Sequence, residues 1–168
     1  MSKLTEELKK EIKLRLLEES IPRINQCLNT INDEHVWYKA NSNSNSLGNL
    51  ILHLCGNVRQ YLISSIGGKE DKRERDLEFS QSGLSKAQLH NYLDRLAEEI
   101  EDVIPGISQS ELERSRMVQG FNMTGLSVVV HVIEHFSYHT GQIAYMTKLL
   151  QDVDLKFYGD LDLNVTGS

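Results

Sequence analysis

Apolar residues recur at intervals of three and four along most of the chain, the period of a helix that buries one face. Leu4, Leu8, Ile12, Leu16, Ile24, Leu28 and Ile31 trace the first stripe and predict a helix over about residues 5–32. Pro22 lies within it, and a proline that lacks an amide donor and crowds the preceding turn predicts a kink there. A second stripe, Leu47, Leu50, Ile51, Leu54, Val58, Tyr61 and Leu62, predicts a helix over 47–66, opened by a cap at Asn45 or Ser46 and ended by Gly67 and Gly68. The third carries Leu89, Leu93, Leu96, Ile100 and Val103 between a Ser85 cap and the Pro105-Gly106 stop. The fourth, over 124–150, presents Val129, Val132, Ile133, Phe136, Ile143 and Leu150.

No stretch alternates as a half-buried strand does. The run "VVV" at 128–130 has β propensity, but its periodic neighbours assign it to the fourth helix. Four amphipathic helices predict an all-α four-helix bundle, and a length of 168 residues fits one domain over 1–168. The link over 67–84 is long enough to cross over or cover one end of the bundle, and the Asn- and Ser-rich stretch before helix two reads as turns and caps.

Charge narrows the partners. A net charge of −6 argues against a nucleic-acid or anionic-membrane surface, and the one basic cluster, "KEDKRER" at 69–75, is interleaved with acids and reads as a solvated loop. No apolar run is long enough for a membrane span, and the charged, periodic N-terminus is unlike a secretory signal, so a cytoplasmic protein is expected. Cys27 and Cys55 fall inside apolar helical patterns, without the spacing of a disulfide framework or a zinc knuckle, and are expected to be reduced packing residues.

The candidate chemistry lies in "HVIEHFSYHTGQIAYM" at 131–146, where His131, His135 and His139 stand four apart. Residues at that spacing share a helix face with Cβ atoms about 6 Å apart, so two imidazoles can meet one ion. Measured by helical angle from the apolar stripe, His139 is nearest, His135 lies on its shoulder and His131 is farthest out, which favours His135 with His139. The candidate third ligand is His53, at the flank of the stripe of helix two. His35 in a polar loop and His90 on a charged face are expected to be exposed. Three histidines with an open fourth position is the pattern of a catalytic zinc site. The same residues read equally well as bundle histidines satisfied by hydrogen bonds.

The chain resembles the DinB/YfiT-like superfamily of metalloproteins, within a branch of uncharacterised bacterial members. The resemblance rests on "NSNSLGNLILHLCGN" at 43–57, "KRERDLEF" at 72–79 and "HVIEHFSYHTGQIAYMTKLL" at 131–150. The family's spacing of two histidines followed by Gly-Gln matches His135, His139, Gly141 and Gln142, and its first-motif histidine matches His53. The resemblance implies a four-helix bundle in which His53, His135 and His139 hold a divalent metal, zinc or nickel, with His131 as a neighbouring group. It also implies a homodimer, and relatives that act with low-molecular-weight thiols, such as bacillithiol S-transferases and mycothiol-dependent isomerases.

The expected activity is therefore a metal-dependent reaction, of which transfer of a small thiol to an electrophile is one form. The alternative is a non-catalytic metal-binding stress-response or dimerisation protein. An ion held by histidines lowers the pKa of a coordinated thiol or water. Candidate supporting groups are Asn57 and Gln142 for orientation, Tyr138 and Glu134 as acid or base, and Arg75 for an anionic substrate group. Arg75 and Asp76 read alternatively as ion pairs and caps between loop and bundle, and Glu78 belongs to the same motif. Phe79 is expected to anchor the loop by burial, and Trp37 and Tyr38 to pack the helix connection or line a pocket.

Overall fold

The computed structural model describes residues 2–159 and 161–165; residues 1, 160 and 166–168 of the expected domain lie outside them. Helix α1 spans residues 3–30, with a π-helical stretch, Lys13–Ser20, between α-helical ends. The irregularity expected at Pro22 takes this form, a widened stretch ending just before the residue that cannot donate to the helix ladder. Helix α2 covers 47–64 and ends in the π-helical turns Arg59–Ser64. Ser46 caps it, accepting from the Asn49 amide while the Asn49 side chain accepts from Ser46 in return. The link contains a short helix, α3, Arg75–Ser80. Helix α4, Lys86–Val103, opens with the same reciprocal cap between Ser85 and Gln88. A short helix α5, Gln109–Glu113, and a hairpin lead to the last helix, α6, Gly125–Gln151, capped by Thr124.

Both α1 and α2 pack against α4 and α6, which places α1 and α2 diagonally opposite in a four-helix bundle. Their buried apolar residues form one cluster, with Leu28, Leu54, Leu93 and Phe136 fully enclosed. Trp37 serves packing: its ring lies over Gly48, where a Cβ would come within 2.6 Å of it, and its Nε1–H donates to the Leu84 carbonyl at 2.9 Å. Tyr38 is exposed. Cys27 and Cys55 are buried free thiols, as their patterns predict.

Two expectations are corrected. The chain does form strands: β1, Ser115–Val118, pairs antiparallel with β2, Phe121–Thr124. Gln119 and Gly120 make the two-residue turn with φ of 51° and 82°, the left-handed pair that matches the twist of a tight hairpin. Strands of four residues are too short to establish an alternating pattern, and Met117 and Phe121 are exposed. His35 and His90 are half-buried rather than exposed, because each meets an amide on a neighbouring helix: His35 Nδ1 lies 2.8 Å from Gln151 Nε2, and His90 bridges Asn25 and Asn29.

Candidate metal centre

Helices α2 and α6 run antiparallel, as the pairings of His53 with His135 and of Asn57 with His131 require. Their facing sides bring three imidazoles together. His53 is 7% exposed and its Nε2 lies 2.9 Å from Nε2 of His135. The ring of His139 stands edge-on to His53, with centroids 5.1 Å apart. One nitrogen from each of the three falls within 4.8 Å of the others. Two nitrogens sharing a zinc ion at about 2.1 Å are at most about 4.2 Å apart, so side-chain shifts of under about 1 Å bring all three to bonding distance. The donor set fits a divalent metal of the zinc or nickel class.

The outward nitrogens are tied back. Nδ1 of His53 lies 2.9 Å from Glu78 Oε2 and 3.2 Å from Arg73 Nη2; the shorter contact is to a carboxylate, which only accepts, and Nη2 donates to the same carboxylate, so Nδ1 is assigned the proton and Nε2 presents its lone pair to the cluster. Nδ1 of His139 lies 2.6 Å from Gln142 Oε1 and donates to it, turning the Nε2 lone pair of that ring outward from the amide. These are the outer contacts that orient metal-binding histidines. Burial, reinforced by the charges of His139, His53, His131 and Arg73, pushes His135 down to about 3. Burial likewise lowers His139, against the hydrogen bond to Gln142, and lowers His131. All three remain neutral imidazoles near pH 7, the form that binds metal.

Glu78 reaches His53 from α3 because Arg73 holds its carboxylate in a fork, Nε to Oε1 at 2.6 Å and Nη2 to Oε2 at 2.9 Å. Arg73 Nη1 donates onward to Gln60 Oε1 at 2.9 Å. Burial pushes the Glu78 carboxyl up, but the hydrogen bonds from Arg73 and His53 and the Arg73 charge outweigh it and hold the group below its ordinary range. Gly56 makes room: a Cβ there would lie 1.9 Å from Glu78 Oε1.

The arginine at the cluster is thus Arg73, not Arg75. Arg75 lies over the Phe79 ring at 5.0 Å, pointing along α3 instead of into the cluster. Asp76 forms no ion pair among the described residues. Phe79 is half-buried against His53, ring centroids 4.9 Å apart. Tyr138 is exposed and meets His139 edge-on at 5.0 Å, and Glu134 is exposed. His131 is half-buried, stacked on His135 at 5.3 Å and tilted against Tyr61 at 4.3 Å. Arg73 sits in the interleaved run that reads as solvated loop, and no periodicity in an irregular link indicates which of its charges turns inward. The signal for it is Gly56, a small residue one turn past His53 and close to its angle on α2.

An antiparallel helical bundle with three inward histidines, two of them tied by outer polar partners, defines the class: a four-helix-bundle protein with a cluster able to hold a metal ion. The chain belongs to the family described as "Protein of unknown function (DUF1572)", whose model matches residues 5–159. Its fold is similar to the crystal structure of a DinB-like protein, YjoA, from Bacillus subtilis, with a TM-score of 0.67 and 18% identity over 88% of this chain and 96% of that one. No curated protein matches the chain. Among the described residues no helix is long and apolar enough to cross a membrane.

Proposed function

We propose that the protein is a metal-dependent enzyme that joins a low-molecular-weight thiol to an electrophile, with His53, His135 and His139 as ligands to zinc or nickel. The observation that carries this reading is the convergence of three imidazoles from two helices, with Nδ1 of His53 and of His139 each committed to an outer acceptor. A divalent ion held there lowers the pKa of a coordinated thiol, supplying a nucleophile at neutral pH without a neighbouring base.

The chain's own groups do the positioning. Glu78 and Arg73 fix the ring of His53, and Gln142 fixes that of His139. A cavity of about 510 Å³ is lined by the polar Asn43, Ser44, Asn45 and Gln142 together with Leu50, Tyr138 and Met146. Leu50 and Met146 in its wall suit the apolar part of an electrophile, with the Tyr138 hydroxyl as proton donor to the leaving group. Arg75 is free to meet an anionic substrate group only after leaving the Phe79 ring. The protein acts as a single domain in the cytoplasm and as a homodimer. The exposed apolar side chains Leu126, Val130 and Leu149 along α6 support pairing of this helix with a second copy.

One observation favours the non-catalytic alternative: the buried carboxylate at the cluster, Glu78, is already committed to Arg73 and His53 and is not available as a base. Elemental analysis and turnover separate the two. His53→Ala, His135→Ala and His139→Ala are each expected to lose bound metal while His131→Ala keeps it; unchanged metal in the first three refutes the site. Metal-loaded protein is expected to conjugate bacillithiol, glutathione or cysteine to members of an electrophile panel. Silence across that panel with metal bound favours the alternative.

A further inference from the structure

Asn57 is placed against the grain of its helix. Its helical angle falls within the apolar stripe of α2, between His53 and the line of Leu50, Leu54 and Tyr61, and it is 4% exposed. An apolar residue there would continue the core. Instead the amide Nδ2 lies 3.4 Å from His131 Nε2, at the outer limit of a hydrogen bond, and Oδ1 has no hydrogen-bond partner among the described residues. Few buried carbonyl oxygens in native proteins stay unpaired. The amide is also one helical turn from His53, about 6 Å between Cβ atoms, while His131 stands one turn from His135. Asn57 and His131 therefore form a polar rung directly beside the rung of the histidine cluster, floored by the Tyr61 ring, whose hydroxyl donates to Gln119 Oε1 of the hairpin turn at 2.9 Å.

We infer that Asn57 Oδ1 is a binding group for the ligand of the three-histidine cluster, accepting a hydrogen bond from a hydroxyl or amine that the ligand carries near its metal-binding atom. The inference rests on the metal-site reading and narrows its substrate class to thiols with such a donor about two or three carbons from the sulfur, the reach of one helical turn. Asn57 is a positioning residue: it selects and orients the ligand, and does not hold the metal.

The test uses the full-length protein loaded with Co(II), whose thiolate absorption band reports ligand binding directly. The probes are 3-mercaptopropan-1-ol and its methyl ether, in which a methyl group replaces the donor hydrogen, and the Asn57→Leu comparison separates the loss of the donor from the added bulk. Wild type is expected to bind the alcohol about fivefold more tightly, the worth of one net hydrogen bond. Asn57→Leu is expected to bind both probes equally with its Co(II) affinity unchanged, and Asn57→Asp, which keeps an acceptor, to retain the preference. Equal affinities in wild type, a preference for the ether, or a preference that survives in Asn57→Leu overturns the inference. The wild-type comparison decides alone if Asn57→Leu fails to fold. Failure of wild type to take up Co(II) defeats the metal-site reading and this inference with it, whereas equal affinities on a fully loaded protein defeat this inference only.

Discussion

Replacing Gly56 by alanine is expected to dislodge the carboxylate that orients His53. The new Cβ would lie 1.9 Å from Glu78 Oε1, 2.8 Å from its Cδ and 3.2 Å from Arg73 Nε. Carbon–oxygen contact distances start near 3.4 Å, so Oε1 must retreat by about 1.5 Å. The Arg73 Nε bond to Oε1, 2.6 Å long, cannot survive that move, and the 2.9 Å bond from His53 Nδ1 to Oε2 is pulled with it. Deleting one partner of a buried ion pair costs about 3–5 kcal/mol. Here the pair is displaced and not deleted, and alanine is better than glycine in a helix by about 1 kcal/mol, so a net loss of about 2–3 kcal/mol is expected. Urea denaturation of metal-free protein followed by circular dichroism measures it. The decisive control is the same change in a Glu78→Ala background, where the obstructing carboxylate is gone. There Gly56→Ala is expected to be neutral or stabilising by up to about 1 kcal/mol. A wild-type-like Gly56→Ala, or an equal cost in both backgrounds, refutes the account of why glycine stands at this position.

Three further outcomes follow from the same geometry. Because the folded-state pKa of Glu78 lies below its unfolded value, its contribution is present in full above the unfolded pKa and is lost as pH falls through the folded one. The stability gap between wild type and Glu78→Gln is thus expected to hold steady above about pH 5 and to narrow towards lower pH, and a gap that widens on acidification contradicts the assignment. Gln142→Leu leaves Nδ1 of His139 without its acceptor and is expected to weaken metal binding about 10–100-fold in competition titrations, with Gln142→Glu closer to wild type. Burial pushes the Cys55 thiol up to about 12 and raises that of Cys27, so neither is expected to react with a disulfide reagent at pH 8 until the protein unfolds; rapid labelling of the native state disproves their burial.

The parts legible in the sequence are those governed by neighbours within a helical turn. The caps at Ser46 and Ser85, the four long stripes, and the shared face of His135 and His139 all depend on residues three or four positions apart, whose spatial relation a helix dictates. His53 is upstream by 82 residues, and only its flank position on an amphipathic helix and the family's motif order singled it out. The hairpin escaped because two four-residue strands carry too little period, although Gln119-Gly120 is the kind of pair that a tight turn uses. Arg73 and Arg75 are indistinguishable as letters in a charged link. They part only when α3 docks on α2 and turns one guanidinium inward to Glu78 and the other over Phe79.

By itself, then, the sequence determined the helices, their buried faces and the pair of histidines on α6, because each follows from local periodicity and capping. Tertiary structure alone decided that α2 lies antiparallel beside α6 with His53 opposite His135, that Arg73 and Glu78 close over Gly56, and that Asn57 is left beside His131 with a carbonyl oxygen that has no partner among the described residues. Those outcomes depend on how whole helices pack and where an irregular link settles, and the close contacts that select them join residues far apart in the chain.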